Sequence, residues 1–95
     1  MNNKRIVVLG GGESGAGAAV LAKVKGFDVW LSDAGPIGQE HKDLLNSYEV
    51  AWEEGGHTPE KILNADEIIK SPGIPDTAPM VARAIEKGIP IVSEI

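Results

Sequence analysis

The sequence predicts an α/β fold in which five parallel strands form a doubly wound sheet with helices on both faces. Short apolar runs alternate with segments of helical periodicity, in the order β-α-β-α-β-α-β-α-β, and this alternation is typical of parallel sheets. The first apolar run, residues 6–9, has no polar position, as in a strand that is covered on both faces. Because crossovers between parallel strands are right-handed, the pattern favours the strand order 3-2-1-4-5.

The first helix is predicted over residues 14–25, directly after a glycine-rich break that follows the first strand. Val20, Leu21 and Val24 fall on one face of this helix and make that face apolar. Lysines occupy its last turn, and Gly26 follows as the residue that ends it.

The middle of the chain is less regular. A second strand is predicted over residues 28–32, and the turn-forming sequence at residues 32–36 ends it. A short helix over residues 39–46 then precedes a third strand over residues 48–52. A helical turn over residues 59–63 completes this part of the chain.

Two strands flank a clear helix in the last third. The fourth strand covers residues 66–70 and stops at the sequence Ser-Pro-Gly-Ile-Pro, residues 71–75. Pro79 stands near the start of a helix that runs over residues 79–87. The apolar face of that helix comprises Val81, Ala84 and Ile85. Residues 89–92 form the fifth strand.

Composition and charge exclude several classes of protein. A length of 95 residues suffices for one small domain, and 42% hydrophobic with 24% charged residues is typical of a globular chain. The absence of cysteine excludes disulfide scaffolds and thiolate sites, and a net charge of -5 disfavours a nucleic-acid module. No apolar run could cross a membrane or serve as a signal peptide, so we expect a cytoplasmic location. The apolar ending at Ile95 suggests a cut in a longer protein.

The most informative segment has the pattern G-x-G-x-x-G, between a predicted strand and a predicted helix. Gly10 allows a tight turn, Gly12 lets a phosphate approach the backbone, and Gly15 lets the helix pack close to the strand. Free N–H groups at the helix start favour a phosphate or diphosphate there. Ser14 can add a hydroxyl donor, whereas the carboxylate of Glu13 should point away from the ligand. The sequence therefore predicts a Rossmann-like phosphate-binding loop, with a purely structural turn as the alternative.

Two further loops are predicted to meet the same ligand. Asp33 ends the second strand, where nucleotide-binding folds place an acid against a ribose or a base; a turn aspartate is the alternative. The loop containing Ser71, Pro72 and Gly73 follows the fourth strand. Because strands one and four are neighbours in the predicted order, this loop should face the glycine loop across the cleft. The alternative is a rigid turn before a helix.

Other residues are assigned structural or surface roles. His41 and His57 lie in polar segments and are predicted at the surface, whereas Trp30 and Trp52 occupy strand positions and are predicted to pack. The acids assigned to a solvated edge are Glu49, Glu53 and Glu54. The sequence contains no P-loop pattern, and its residues predict no nucleophile–base pair and no metal-ligand cluster.

Four segments taken together resemble the amino-terminal domain of the Mur ligase family. They are residues 7–15, residues 31–33, residues 71–75 and the ending Gly-Ile-Pro-Ile-Val-Ser-Glu-Ile at residues 88–95. The resemblance extends over essentially the whole chain. It implies a UDP-binding first domain of a three-domain enzyme of peptidoglycan synthesis, whose ATP-binding central domain and carboxy-terminal domain are absent from residues 1–95.

The resemblance also implies a reaction and a distribution of roles. This domain would hold the UDP end of UDP-N-acetylmuramoyl-L-alanine, and the absent domains would bind ATP with Mg²⁺ and D-glutamate. The family reaction forms an acyl phosphate, which the amine of D-glutamate attacks. Because the absent domains would bind the reacting ATP and D-glutamate, this fragment would carry no cofactor and no catalytic residue. Matched by position, Glu13 and Ser14 would meet the diphosphate through backbone groups. Asp33, Ala34 and Gly35 would meet uracil, although family members often carry a hydroxyl and an arginine in place of the last two.

Gly73 would border the same uracil pocket in that comparison.

Two other readings remain open from the residues alone. The glycine loop and Asp33 would equally suit an NAD(H)-binding module of an oxidoreductase or a regulatory protein. A regulatory or interaction domain that kept the sheet and lost its ligand is the second, and Glu13 within the phosphate loop favours it.

Overall fold

The computed structural model describes residues 4–93 and contains the nine alternating elements that the sequence predicts. Residues 1–3 and 94–95 lie outside the described part, so the expectations about a leader and about the cut at Ile95 are not addressed by it. The elements are β1 (Arg5–Leu9), α1 (Glu13–Val24), β2 (Asp28–Asp33), α2 (Gln39–Ser47), β3 (Ala51–Glu54), α3 (Pro59–Ile62), β4 (Glu67–Lys70), α4 (Pro79–Glu86) and β5 (Ile91–Val92).

The five strands form one parallel sheet in the order β3-β2-β1-β4-β5, which confirms the predicted topology. β1 lies at the centre, between β2 and β4. Because the strands are parallel, the loops that follow β1, β2 and β4 leave the sheet at the same edge. Within residues 4–93 no helix is long and apolar enough to span a membrane.

The central strand supplies both hydrophobic cores, as a strand buried on both faces should. Ile6 and Val8 point into a core that includes residues of α1 and α2, whereas Val7 and Leu9 point into one that includes residues of α3 and α4. All four side chains are buried. The sheet is therefore a middle layer between two pairs of helices, and a site can form at its carboxyl edge.

α1 packs on the sheet through small residues, not through the apolar face that the sequence suggested. Ala16, Ala19 and Ala22 are buried, while Leu21 and Val24 are 56% and 66% exposed. The helix begins so close to the end of β1 that only small side chains fit between the helix and the sheet. α4 shows the same kind of difference.

In α4 the buried residues are Met80, Val81 and Ala84, and the predicted core residue Ile85 is 52% exposed. Met80 takes its place because it lies one helical turn before Ala84, on the side that faces the sheet.

β3 begins three residues later than the sequence predicts. α2 continues to Ser47, and Glu49 then takes a left-handed conformation with φ of 59°. The N–H of Val50 donates to the carbonyl of Leu45 at 2.9 Å, which is the six-to-one hydrogen bond of a Schellman helix ending. This helix ending occupies residues 48–50, so the strand pairs with β2 only from Ala51 onwards.

Candidate functional site

Three loops meet at the carboxyl edge of the sheet and line an open cavity of about 390 Å³. We refer to this cavity as the polar chamber. It is lined by the predicted glycine loop together with side chains from the loops after β2 and β4: Gly10, Gly11, Gly12, Glu13, Ser14, Gly15, Asp33, Ser71 and Ile74. The structure therefore brings the three predicted loops together around one space.

The glycine loop turns sharply because two of its glycines meet strict geometric requirements. Gly10 has a φ of +108°, a conformation that side-chain-bearing residues rarely adopt. A Cβ on Gly15 would collide with the carbonyl oxygen of Gly10. Both findings agree with the roles predicted for the first and last glycines of the pattern. Open space surrounds the position of a Cβ on Gly12, so a ligand could approach the backbone there.

The amino end of α1 presents a set of unpaired donors to the polar chamber. The first helical hydrogen bond runs from the N–H of Ala16 to the carbonyl of Gly12, at 2.9 Å. Within the described chain, the preceding N–H groups make no hydrogen bond; they belong to Gly12, Glu13, Ser14 and Gly15. Such donors, aligned with the positive end of the helix dipole, favour an anion.

Asp33 ties the glycine loop to the loop after β2. Its Oδ2 accepts a hydrogen bond from the N–H of Gly11 at 2.8 Å, and its Oδ1 accepts one from the N–H of Gly35 at 2.9 Å. The turn role that the sequence left as an alternative is therefore present. Each carboxylate oxygen keeps a further acceptor site, so a ligand contact is compatible with this geometry.

A buried lysine holds the third loop in place. Lys70 ends β4 with only 6% of its surface exposed, and its Nζ donates to the carbonyl of Ile74 at 2.7 Å. The N–H of Ser71 donates to the carbonyl of Leu9 at 3.0 Å, which continues the pairing of β4 with β1. Ser71 and Ile74 line the polar chamber, whereas the predicted site residues Pro72 and Gly73 are exposed and do not line it.

A second cavity of about 360 Å³ adjoins the first, and we refer to it as the apolar chamber. It shares Gly10, Asp33 and Ile74 with the polar chamber, so the two form parts of one cleft. The rest of its wall comes from β1, α4 and the segments after β2, β3 and β4: Leu9, Ala34, His57, Ala78, Pro79, Met80 and Val81. A ligand with an anionic part and a flat apolar part would match this cleft.

The structure corrects the assignment of Glu53 to a solvated edge. Its carboxylate accepts hydrogen bonds from Trp30 Nε1 at 3.2 Å, Ser32 Oγ at 2.8 Å, Thr58 N at 2.8 Å and Thr58 Oγ1 at 2.6 Å. Burial raises the pKa of Glu53, but the hydrogen bonds from Thr58, Ser32 and Trp30 outweigh it and leave the pKa below its usual value. The predicted third strand ended before Glu53, so the sequence did not indicate that this residue pairs with a neighbouring strand. Its hydrogen-bond partners lie on that strand and on the turn that follows β3.

Glu54 anchors the loop that covers the glycine turn. Its Oε1 accepts a hydrogen bond from the N–H of Ile37 at 2.8 Å, and its Oε2 lies 2.8 Å from Nζ of Lys42. These two interactions lower the pKa of Glu54. Ile37 is thereby held against Gly11, where a Cβ would lie only 2.7 Å from Cγ1 of the isoleucine.

His57 is not the isolated surface residue that the sequence suggested. It is half-buried, lines the apolar chamber, and has its Nδ1 2.6 Å from Oγ of the fully buried Ser32. His41 lines neither chamber, and its Nε2 lies 3.6 Å from the exposed carboxylate of Glu40. The sequence pattern carried no signal for the difference, since both histidines lie in polar segments.

Replacing Gly11 with alanine tests the contact with Ile37. We expect Gly11→Ala to lower the free energy of unfolding by about 1–3 kcal/mol, because the new methyl group overlaps the isoleucine side chain. In an Ile37→Ala background the same substitution should cost clearly less, since the obstructing atoms are gone. Urea denaturation of the four proteins measures both costs, and equal costs in the two backgrounds would argue against this contact.

A comparison with family models and a comparison with curated proteins point to the same kind of protein. The family model described as the MurD N-terminal domain matches residues 5–80. A UDP-N-acetylmuramoylalanine--D-glutamate ligase of Bacteroides thetaiotaomicron is 63% identical over 92 residues, and one of Christiangramia forsetii is 56% identical over 92 residues. Each alignment covers 97% of this chain and 21% of the relative, so the chain spans about a fifth of the length of these relatives.

Solved structures share the fold. A pseudomurein peptide ligase type C from Methanothermus fervidus superposes with a TM-score of 0.80 at 31% identity, over 95% of this chain and 19% of that one. UDP-N-acetylmuramate-alanine ligase from Thermotoga maritima gives a TM-score of 0.78 at 24% identity, over 97% of this chain and 21% of that one. At 24% identity the second likeness concerns the fold alone.

Proposed function

Because the chain belongs to the family of MurD N-terminal domains, we propose that it binds the uridine diphosphate end of UDP-N-acetylmuramoyl-L-alanine. The observation that carries this proposal is the row of unpaired N–H groups at the start of α1, which faces a cleft with an adjoining apolar chamber. The names of relatives that are 63% and 56% identical to this chain, which are UDP-N-acetylmuramoylalanine--D-glutamate ligases, support the identity of the nucleotide.

The diphosphate is assigned to the polar chamber. There the backbone N–H groups of Gly12, Glu13, Ser14 and Gly15 would bind the phosphate oxygens, and the exposed hydroxyl of Ser14 would add a donor. Gly10 shapes the turn, and the side chain of Glu13 is exposed, where it can point into solvent. Backbone amides can thus hold an anion in a chain whose net charge is -5.

The nucleoside is assigned to the apolar chamber and to the loop after β2. Asp33 and Ala34 line that chamber, and the N–H of Gly35 holds the aspartate in place. Ser71 would approach the ligand from the side of β4. Pro72 and Gly73 complete the predicted set, and from their exposed positions we expect them to meet the ligand only at the rim of the cleft.

We infer that the full-length protein is an ATP-dependent, ADP-forming ligase of cytoplasmic peptidoglycan synthesis, which adds D-glutamate and uses Mg²⁺. Relatives about five times as long as this chain, with the ligase name, support this inference. The residues described here would bind and orient the nucleotide end of the substrate. ATP, Mg²⁺ and D-glutamate would be bound by other domains, and the isolated 95-residue chain is expected to be inactive.

Two substitutions of Glu13 separate its backbone contribution from that of its side chain. Proline is compatible with the first position of a helix; Glu13→Pro removes the N–H, which has no partner in the described chain, together with the carboxylate side chain. We expect Glu13→Pro to weaken UDP binding about tenfold or more, the worth of a hydrogen bond to a charged group. The matched variant Glu13→Ala keeps the N–H and removes a negative charge, so it should bind UDP equally well or more tightly.

Titration of the isotopically labelled 95-residue chain with UDP, UMP and NADH measures these affinities. We expect UDP at millimolar concentration to shift the amide signals of Gly12–Gly15 and Asp33, with smaller shifts for UMP and for NADH. Unmoved signals at these positions, or stronger binding of NADH than of UDP, would contradict the proposed function.

A further inference from the structure

We infer that His57 recognises the base of the nucleotide, by accepting a hydrogen bond from N3–H of uracil at its Nε2 atom. The inference rests on the proposed function, because it names the residue that would distinguish uracil from cytosine within the same cleft. The imidazole lines the apolar chamber together with Ala34 and Ile74, next to the space assigned to the diphosphate. A base there would therefore lie beside the ring of His57.

The hydrogen bonds around Ser32 determine which nitrogen of His57 carries the proton. Ser32 has a single hydroxyl proton and lies 2.8 Å from Oε2 of Glu53 and 2.6 Å from Nδ1 of His57. An ionised carboxylate only accepts, and it is the stronger acceptor, so the hydroxyl donates to Glu53. The short contact with His57 then requires a proton on Nδ1, which donates to Oγ of Ser32.

In the neutral ring, this arrangement leaves Nε2 without a proton and with a lone pair to offer. Residues 4–93 provide Nε2 of His57 with no hydrogen-bond partner. Trp30 and Thr58 hold Glu53 in place, and Glu53 in turn holds the hydroxyl of Ser32. The ring of His57 therefore cannot rotate without breaking its contact with Ser32. The acceptor is preorganised.

Little else in the apolar chamber could read the edge of a base. Among the residues that line it, only His57 and Asp33 have polar side chains. Each carboxylate oxygen of Asp33 accepts one backbone N–H, from Gly11 or from Gly35, and the acceptor site that remains on each oxygen is assigned to the ribose hydroxyls of the nucleotide. Uracil carries a proton on N3, whereas N3 of cytosine has a lone pair at that position. A fixed acceptor on His57 therefore favours uracil and repels cytosine.

The test compares the dissociation constants of UDP and CDP for the 95-residue chain and three variants. We expect the unsubstituted chain to prefer UDP by about tenfold, the effect of gaining one hydrogen bond and avoiding two facing lone pairs. His57→Ala should bind UDP more weakly and lose the preference. His57→Gln should retain more affinity but also lose the preference, because an amide can turn either its oxygen or its nitrogen toward the base. The matched control His41→Ala should behave like the unsubstituted chain.

The outcomes separate this inference from the function on which it rests. If UDP shifts the Gly12–Gly15 signals but the preference over CDP survives in His57→Ala, the role of His57 is wrong and the proposed function stands. Binding of UDP without any preference in the unsubstituted chain has the same meaning. If UDP shifts none of these signals, the proposed function and this inference are both wrong. Nitrogen chemical shifts of His57 give an independent check, since a ring protonated on Nε2 alone would overturn the assignment of the acceptor.

Discussion

Replacing Gly15 with alanine is expected to destabilise the protein by roughly 2–4 kcal/mol, more than an ordinary overpacking substitution. The added Cβ would collide with the carbonyl oxygen of Gly10, and a backbone atom cannot move aside by changing a rotamer. α1 would have to shift away from β1, and the buried Ala16 and Ala19 would lose their contacts with the sheet. Because the same shift displaces the donors at the start of α1, the proposed binding of UDP should weaken as well.

Gly17→Ala is the matched control, since Gly17 lies in the same helix. Nothing lies within 4 Å of a Cβ at that position, so alanine there should raise the free energy of unfolding by about 0.5–1 kcal/mol through its better helix propensity. Urea denaturation of both variants gives the comparison. Similar stabilities of Gly15→Ala and Gly17→Ala would show that α1 does not approach β1 as closely as described.

Removing the carboxylate of Glu53 is the second substitution with a large expected effect. Glu53→Ala leaves Trp30 Nε1, Ser32 Oγ and both donors of Thr58 without their acceptor, and Ser32 is fully buried. We expect a loss of about 2–4 kcal/mol in the free energy of unfolding at neutral pH, since buried donors without partners cost about 1–3 kcal/mol each and some here can reach water. Glu60→Ala, an exposed acid in α3, should change stability little by comparison.

The stabilisation by Glu53 should depend on pH in a defined direction. Its pKa is lower in the folded chain than the ordinary value of 4.5, so its contribution is fully present above pH 4.5 and is lost as the pH falls through the folded pKa. Glu53→Gln cannot titrate at this position. The difference in unfolding free energy between the unsubstituted chain and Glu53→Gln should therefore shrink between neutral pH and pH 3. A difference that stays constant over this range would contradict the assignment, and Glu60→Gln provides the control.

Much of the fold could be predicted because its signals are local in the chain. The apolar run of β1, the glycine turn and the helix that follows it are contiguous, and right-handed crossovers then restrict the strand order. The special conformation of Gly10 and the close approach at Gly15 follow from the same short segment. The predicted convergence of this loop with Asp33 and Ser71 is confirmed, because parallel strands bring their carboxyl ends to one edge.

Other parts of the site could not be predicted because they depend on which residues meet across the sheet. Ala19 and Leu21 lie on opposite faces of α1, and the close approach of the helix to the strands decides that the face with the small Ala19 is buried while Leu21 is exposed. β3 starts late because Glu49 takes a left-handed conformation, and the sequence has no glycine at that position to indicate it.

By itself, the sequence determined the α/β topology, the glycine-rich turn between β1 and α1 and the family to which the resemblance pointed. Only the tertiary structure decided that Glu53 is a hydrogen-bond acceptor for four donors and that His57 faces a chamber rather than solvent. The physical reason is the range of the interactions involved. Turns, caps and hydrophobic periodicity act between residues a few positions apart, whereas a side chain's burial and partners depend on neighbouring strands more than twenty residues away in the chain.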